Sequence, residues 1–403
     1  MLSHLRVLSF TELKRLKHIS WNEECIAQLV LKMKKWPTNV KTLLTFGIFA
    51  GTSIIGFQSC DGFHSGSIPP GLPSGALTRH TGKPLVRNGP ESYDFEKTGP
   101  RVVLKMGSTD YRMWYEAVGS DCITQVGYAT STDGLTWAKA GAVMGPDGSS
   151  WEKMEVSPNS VLYENGIFKM WYHGGGYFQT CNPGPRLGGA EIGFATSTDG
   201  KNWTKASSNP VLNTGPTGSF DDSQVAEPRV LNLGAGGYRM YYMGHNASTK
   251  STRLAMATST DGMTWTKYSG NPLLDPIGGG GAAIVFNDGV FNLWHATEDS
   301  TSGLNYKWST DGITWTDGPS NPVLTPSRDS NTADASYAGD SVSGYLDGNT
   351  FRIMYTGYNS NFQGTGRLGS HLPRHYCLSV GSYVMANSFC PITKSFRSAG
   401  PST

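Results

Sequence analysis

Charge is scarce in this chain. Only 16% of its 403 residues are Asp, Glu, Lys or Arg, and 33 basic against 31 acidic side chains leave a formal net charge of +2. A coiled coil or a bundle rich in Ala, Glu and Lys would carry far more charge, and a disordered polyelectrolyte would carry an excess of one sign. No Lys/Arg stripe occurs beyond the N-terminal region, so a polyanion-binding surface is excluded as the default and no nucleic-acid partner is expected. Cysteine is sparse as well, six in all, and no His/Cys cluster has zinc-ligand spacing. Long apolar runs are nearly absent, the exception being residues 43–57.

Turn formers and aromatics are abundant instead. The chain has 51 Gly, 22 Pro, 11 Trp, 18 Tyr and 16 Phe, and Gly plus Pro well exceed the usual ~12%. That balance fits many short strands joined by tight turns. At roughly 100–200 residues per domain the length allows several domains, unless one all-β architecture takes most of it.

The first sixty residues stand apart. Residues 1–32 are polar and mixed and read as a doubtful upstream extension, with Met33 as the expected start. Lys34, Lys35 and Lys41, the apolar run, and then Ser59-Cys60 have the anatomy of a signal peptide or a membrane or lipid anchor over 33–60. The segment Phe57-Gln58-Ser59-Cys60 loosely resembles a bacterial lipobox but departs from it at Phe57 and Gln58. An uncleaved single-span anchor and a eukaryotic organelle leader stay open beside it. Each places the remainder in a secreted, membrane-anchored or organelle-lumen setting, with the membrane touched only through this anchor. Residues 61–81, with Ser65-Gly66-Ser67 and Pro69-Pro70-Gly71, read as a flexible tether.

Internal repeats organise the rest of the chain. The phrase Ala129-Thr130-Ser131-Thr132-Asp133-Gly134-Leu135-Thr136-Trp137 returns at 195–203 and 257–265, and in shortened form at 308–315. A second phrase, Arg112-Met113-Trp114-Tyr115, has counterparts at 169–172, 239–242, 292–295 and 352–355. A third, Asn-Pro-Val-Leu, stands at 209–212 and 321–324, with Leu for Val at 271–274. Each unit reads as four strands. An apolar strand comes first, then the Met-Trp-Tyr strand, a third strand running into an Asp-Gly turn, and an outer strand that tolerates Pro on its free edge. Such units repeating every 50–70 residues are the sign of a β-propeller. The prediction is an all-β, five-bladed propeller over 82–385, with Lys83-Pro84-Leu85-Val86 closing the last blade and 386–403 an irregular tail. Cys122 with Cys181, and Cys377 with Cys390, are candidate disulfides, with free thiols equally open.

Function is expected where the inner strands open onto the central channel. Aligned on Met-Trp-Tyr, Pro100, Pro158, Pro228, Gly281 and Ser341 are equivalent, preceded by Gly99, Ser157, Glu227, Gly280 and Asp340. Glu155 lies three residues before Pro158. Glu116 and His173 are equivalent beside strand two, and Arg101 and Arg229 follow the Pro in units one and three. A second acidic set recurs, Tyr93-Asp94, Trp151-Glu152 and Phe220-Asp221-Asp222, and its structural reading is a loop-capping acid behind an aromatic anchor.

The Ser-Thr-Asp-Gly-x-x-Trp turn, the Met-Trp-Tyr strand and the five-fold count resemble the five-bladed glycosidase superfamily of arabinanases, levansucrases and invertases, with glycoside hydrolase families 43, 32 and 130. The resemblance implies a glycoside hydrolase or related phosphorylase acting on a polysaccharide or oligosaccharide, with an acidic residue at the mouth in each of the first three blades. Glu227 in Ala226-Glu227-Pro228-Arg229 matches the third-blade general acid. Gly99 and Ser157 depart from the pattern, and Asp94 and Glu155 are the stand-ins to complete a catalytic set of Glu227, Asp94 and Glu155. Arg101, Glu116, His173, Asp222, Arg229 and Asp340 are the expected substrate-binding residues. A carbohydrate ligand and a monomer are expected. No cofactor or metal is required, although a structural calcium in the channel is compatible with the fold. The competing reading is a non-catalytic glycan-binding or scaffolding propeller.

Overall fold

The structure, a computed structural model, describes residues 77–80, 86, 88–175, 189–275, 277, 281–296, 303–328, 337–358 and 376–384. The leader, residues 61–76 and 81 of the tether, and Cys181 and Cys390 lie outside them, whereas Thr78–Arg79 of the expected tether form a strand. The described residues form strands and, besides two short 3-10 turns, no helix. The all-β expectation holds.

Strands follow one another as antiparallel meanders. After β1 (Thr78–Arg79), the first meander is β2 (Lys97–Gly107), β3 (Asp110–Val118), β4 (Thr124–Ser131) and β5 (Ala138–Met144). The next is β6 (Glu155–Glu164), β7 (Ile167–Gly175), β8 (Ala190–Ser197) and β9 (Thr204–Lys205). Then come β10 (Gln224–Asn232), β11 (Tyr238–His245), β12 (Thr252–Ser259) and β13 (Thr266–Lys267). They are followed by β14 (Ala282–Asn287), β15 (Val290–Ala296), β16 (Leu304–Ser309) and β17 (Thr316–Asp317). Last are β18 (Tyr337–Asp347), β19 (Thr350–Tyr358) and β20 (Tyr376–Val384), whose free edge pairs with β1. The strand that ties the N-terminal end to the last sheet is thus Thr78–Arg79. It lies ahead of the Lys83-Pro84-Leu85-Val86 phrase, of which 83–85 lie outside the described residues. The first strands of the meanders lie side by side in a circuit, β2 against β6, β6 against β10, β10 against β14, β14 against β18, and β18 against β2.

The repeated phrases explain how the meanders hold together. In the Asp-Gly turn, Asp133 Oδ1 accepts the N–H groups of Leu135 and Thr136, at 2.8 and 2.7 Å, and Ser131 Oγ accepts that of Gly134. Gly134 has φ +73°, open to glycine at little cost. The same bonds recur around Asp199, Asp261 and Asp311. Neighbouring meanders are joined through this turn. Trp114 Nε1 donates to Gly200 O at 2.8 Å, Trp171 Nε1 to Gly262 O at 2.7 Å, and Tyr241 Oη to Gly312 O at 2.9 Å. The Trp and Tyr of the second phrase are fully buried between sheets, as aromatics with a polar tip prefer. The outer edge is shorter than expected. Beyond Thr204–Lys205 the Asn-Pro-Val-Leu phrase pairs through a single bridge, Ile192 with Leu212. The Asn209 amide replaces the missing ladder by accepting from Phe194 N at 2.8 Å and donating to Phe194 O at 3.0 Å.

Candidate active site at the open ends of the inner strands

Proline at the start of an inner strand has no N–H for the ladder, and pairing slips there. Register shifts occur between Pro100 and Val102, between Pro158 and Ser160, and between Ala226 and Arg229. A bulge leaves its extra residue unpaired and re-aims the side chain. The residues released are Arg101, Asn159 and Glu227-Pro228. Glu227 carries φ +55°, a conformation that costs a non-glycine residue about 1 kcal/mol or more and persists only where the surroundings over-determine it.

Those surroundings are a charged network. Arg101 donates to both carboxylate oxygens of Glu227 and, through Nε at 3.0 Å and its other terminal nitrogen, to Glu116 Oε2. Glu116 is also held by Lys97 Nζ at 2.9 Å and by Ser157 Oγ at 3.2 Å. Asn159 Nδ2 donates to Glu227 Oε2 at 2.9 Å. That fixes the Asn159 amide so that its oxygen accepts from His173 Nδ1–H at 2.9 Å. The other nitrogen, His173 Nε2, meets Glu155 Oε1 at 3.2 Å. Arg229, wholly inside, donates to the carbonyls of Ala282 at 2.6 Å, Val342 at 2.7 Å and Asn159, and its charge stands 3.8 Å from Glu227.

Protonation follows from this arrangement. Burial works against the charge on Glu116, but Arg101 and Lys97 overcome it and hold the carboxyl far below the ordinary range. Burial likewise opposes ionisation of Glu227, and the charges of Arg101, His173 and Arg229 lower its pKa regardless. His173 moves the other way: burial disfavours the imidazolium, yet Glu155, with help from Glu227, raises its pKa. Two of the three carboxylates keep an opening, with side-chain exposures of 15% for Glu227 and 14% for Glu155 against 1% for Glu116.

The cluster gathers most of the residues singled out from sequence: Glu227, Glu155, Arg101, Glu116, His173 and Arg229. It also contains Lys97, Ser157 and Asn159, which the sequence reading did not assign to the site. Asn159 could have been found, since it follows Pro158 as Arg101 follows Pro100.

Asp94 is placed differently. It is fully buried, bound by Lys139 Nζ at 2.6 Å and by Tyr115 Oη at 3.3 Å, and burial raises its pKa. None of these partners belongs to the cluster. Glu152 with Lys205, and Asp221 with Lys267 at 2.6 Å and Tyr242 Oη at 3.2 Å, repeat the arrangement. These acids therefore lock the loops ahead of β2, β6 and β10 to the outermost strands, and the contacts of Asp94 are those of the lock and not of the charged cluster. Asp222 also stands outside the cluster, accepting Gly218 N–H at 2.8 Å and Ala247 N–H at 2.7 Å. Asp340 lies on β18 opposite Thr356, and its side chain is outside the described residues. Among the described residues no group of three or more His, Cys, Asp or Glu could hold a metal ion. The cluster itself suits calcium poorly, because its carboxylates are already committed to Arg, Lys and His.

Comparison with known proteins places this geometry in context. The family model of the glycosyl hydrolases family 32 N-terminal domain matches residues 104–280. The structure is similar to the BT0996 protein of an RGII complex, with a TM-score of 0.60, 17% identity, and coverage of 82% of this chain and 96% of that one. It is also similar to a family 117 glycoside hydrolase of the marine bacterium Zobellia galactanivorans, with a TM-score of 0.54, 14% identity, and coverage of 77% and 92%. These likenesses show the fold that the chain shares with those proteins, and the family model is similar to it over the middle of the chain. Among curated sequences it is 26% identical, over 186 residues, to the A type blood N-acetyl-alpha-D-galactosamine deacetylase of Flavonifractor plautii. That match takes in 43% of this chain and 23% of the relative, so the chain spans under a quarter of that protein's length.

Proposed function

We propose that this protein is a five-bladed propeller of four-stranded blades that cleaves glycosidic bonds in an oligosaccharide or polysaccharide by carboxylate chemistry at the Glu227–His173–Glu155 cluster. The circuit of inner strands and the four-strand meanders support the blade count. One observation carries the chemistry. Two carboxylates with an opening to solvent are held on either side of one imidazole, while the charges around them are buried and paired.

Glycoside cleavage needs one carboxylate to activate water or attack the anomeric carbon, and one protonated group for the departing oxygen. Glu227, kept ionised by Arg101, takes the first role, not the proton-donor role that the resemblance implied. The Glu155–His173 pair takes the second. As the C–O bond breaks, the departing oxygen receives the proton that the pair carries, and Glu155 beside the imidazole raises the His173 pKa in favour of holding that proton. Buried ionic clusters are often less stabilising than an apolar core would be. Perturbed groups gathered in this way are characteristic of functional sites. The leader over 33–60 fits this reading, because an enzyme of environmental glycans works outside the cytosol.

The test is a screen of arabinan, fructan, mannan and galactan oligosaccharides with wild type and Glu227→Gln. Loss of general acid or base catalysis lowers the rate by about 10²–10⁴, and hydrolysis undiminished in Glu227→Gln overturns the assignment. A non-catalytic glycan-binding propeller is the second reading. Gly99 and Ser157 favour it, standing where acids are expected, and it predicts tight binding with no turnover by wild type.

A further inference from the structure

A second concavity lies beside the cluster and takes no part in it. It has a volume of about 550 Å³ and is lined by Trp151, Glu191, Asp222, Gln224, His245 and Lys250, among others, a size usual for small-molecule sites. Its walls are the N-terminal ends of β8 and β10, the C-terminal end of β11, and the loop before β6. Glu227 stands on β10 as well, Glu155 opens β6 directly after the wall loop, and His173 lies on β7, which pairs with β8. Gln224 is three residues ahead of Glu227 on β10, about 10 Å of extended chain. A second link runs through Gly175, where an added Cβ would lie 3.1 Å from Glu155 Oε2 and 3.7 Å from the carbonyl of Gly189, another residue of the cavity wall. Trp151 spans the join. Its ring stacks on Tyr172 at 5.8 Å and packs where side chains on Gly174 and Gly193 would sit.

The lining chemistry narrows the ligand. One aromatic ring, an amide, hydroxyls and ionisable side chains offer donors and acceptors in several directions around one apolar face. Two carboxylates face one lysine and one histidine, so with His245 neutral the site has no cationic excess to recruit an anion. Burial raises the Glu191 pKa, which lets this carboxyl donate as well as accept near its titration. A polyhydroxylated neutral ring fits this lining better than a uronate or sulfated one.

Building on the glycosidase reading, we infer that the cleft between β8 and β10 binds a further neutral sugar unit of the same substrate. The protein then acts on a chain spanning cluster and cleft, in preference to a single terminal glycoside.

The experiment compares kcat/KM for neutral oligosaccharides of two to six units with that for the aryl monoglycoside of the same sugar, in the arabinan, fructan, mannan and galactan series. Wild type should gain with chain length. Glu191→Gln and the exposed-site variant Lys250→Ala should each lower the ratio of long to aryl substrate about fivefold to tenfold. Glu227→Gln should lower both rates and leave the ratio. Calorimetry with the hexasaccharides reads the cleft without catalysis, and affinity should fall in the two cleft variants. A chain-length profile that is flat in every series, or preserved in both cleft variants, overturns the inference while leaving the glycosidase reading in place. Stronger binding of uronate oligosaccharides than of neutral ones overturns the ligand class. Hexasaccharide binding that depends on Glu191 and Lys250, with no hydrolysis by wild type, removes the glycosidase reading and keeps the cleft as a sugar site.

Discussion

Replacing Arg101 by Met would test the logic of the charged cluster at its hub. The guanidinium is 5% exposed and is shared by Glu116 and Glu227. Methionine fills most of its volume and removes its charge. Glu116 would retain Lys97 and Ser157, while Glu227 would retain Asn159 and the more distant Arg229. Breaking a buried ion pair from one side costs about 3–5 kcal/mol, because the remaining charge is stranded. Both carboxylates keep a partner here, so the low end, about 3 kcal/mol, is expected at pH 7. At roughly 2 °C per kcal/mol, the low end for a large domain, Tm should fall about 6 °C. The loss should depend on pH in a defined sense. Glu116 and Glu227 have folded pKa values below their unfolded ones. Their contribution is therefore complete above the unfolded value of about 4.3 and vanishes as pH falls through the folded values. The gap between wild type and Arg101→Met should be widest at neutral pH and close in acid. Calorimetric melts from pH 7 down to about pH 2, well below the unfolded value of about 4.3, measure it. A gap that stays constant with pH, or a Tm within about 1 °C of wild type at pH 7, refutes the reasoning. Arg101→Lys, which keeps the charge but not the fork, should fall between the two.

Three further outcomes follow from named contacts. Asp94→Asn weakens its bond with Lys139, so it should lower stability by about 1–2 kcal/mol in denaturant titrations while turnover stays near wild type. A collapse of turnover at unchanged stability would restore Asp94 to the catalytic set. His173 has a raised folded pKa, so its pairing with Glu155 stabilises fully below the unfolded value of about 6.5 and is lost as pH rises through the folded one. An NMR titration of the imidazole should show that raised value, and His173→Gln should abolish the matching alkaline loss of stability and the alkaline limb of the rate profile. Gly281 has φ +80°, and a Cβ there would lie 2.9 Å from Glu227 Oε2. Gly281→Ala should therefore cost about 1 kcal/mol in backbone strain and reduce turnover by moving the carboxylate, and normal kinetics in a folded Gly281→Ala would argue against a position-sensitive Glu227.

Local chemistry made much of the fold legible. The Ser-x-Asp-Gly turns bond within five residues, as Ser131, Asp133 and Thr136 do, so a sequence window contains the whole device. The strand periods are equally local. The short outer strands were less legible, because Asn209 takes over a ladder position with its side chain and leaves a phrase that looks like a strand but pairs through one residue. The closing strand was misplaced for a similar reason. Two residues, Thr78 and Arg79, carry no pattern, and their partner is some 300 positions away.

The site was half legible, and the division has a physical cause. A structural device repeated in each blade leaves co-varying residues. The buried acids Asp94, Glu152 and Asp221 each come with a Tyr after Trp or Tyr on the second strand, and with a Lys two places beyond the turn Trp, at Lys139, Lys205 and Lys267. In the following unit the Tyr and the Lys change together: His295 replaces the Tyr and Asp317 replaces the Lys, while Asp275, six residues ahead of Gly281, pairs with Arg253 at 2.7 Å instead. That joint loss identifies the set as one lock without any coordinates, and it could have removed Asp94 from the catalytic candidates. The charged cluster obeys the opposite rule. At equivalent positions the blades offer Arg101 and Asn159, and Glu116 and His173, each different because each meets a residue of another blade. Arg101 and Glu227 are 126 residues apart, and no single blade records why Glu227 is ionised. Recurrence within the repeat marks what holds a blade, and the positions where equivalent residues diverge while staying polar mark what the ring encloses.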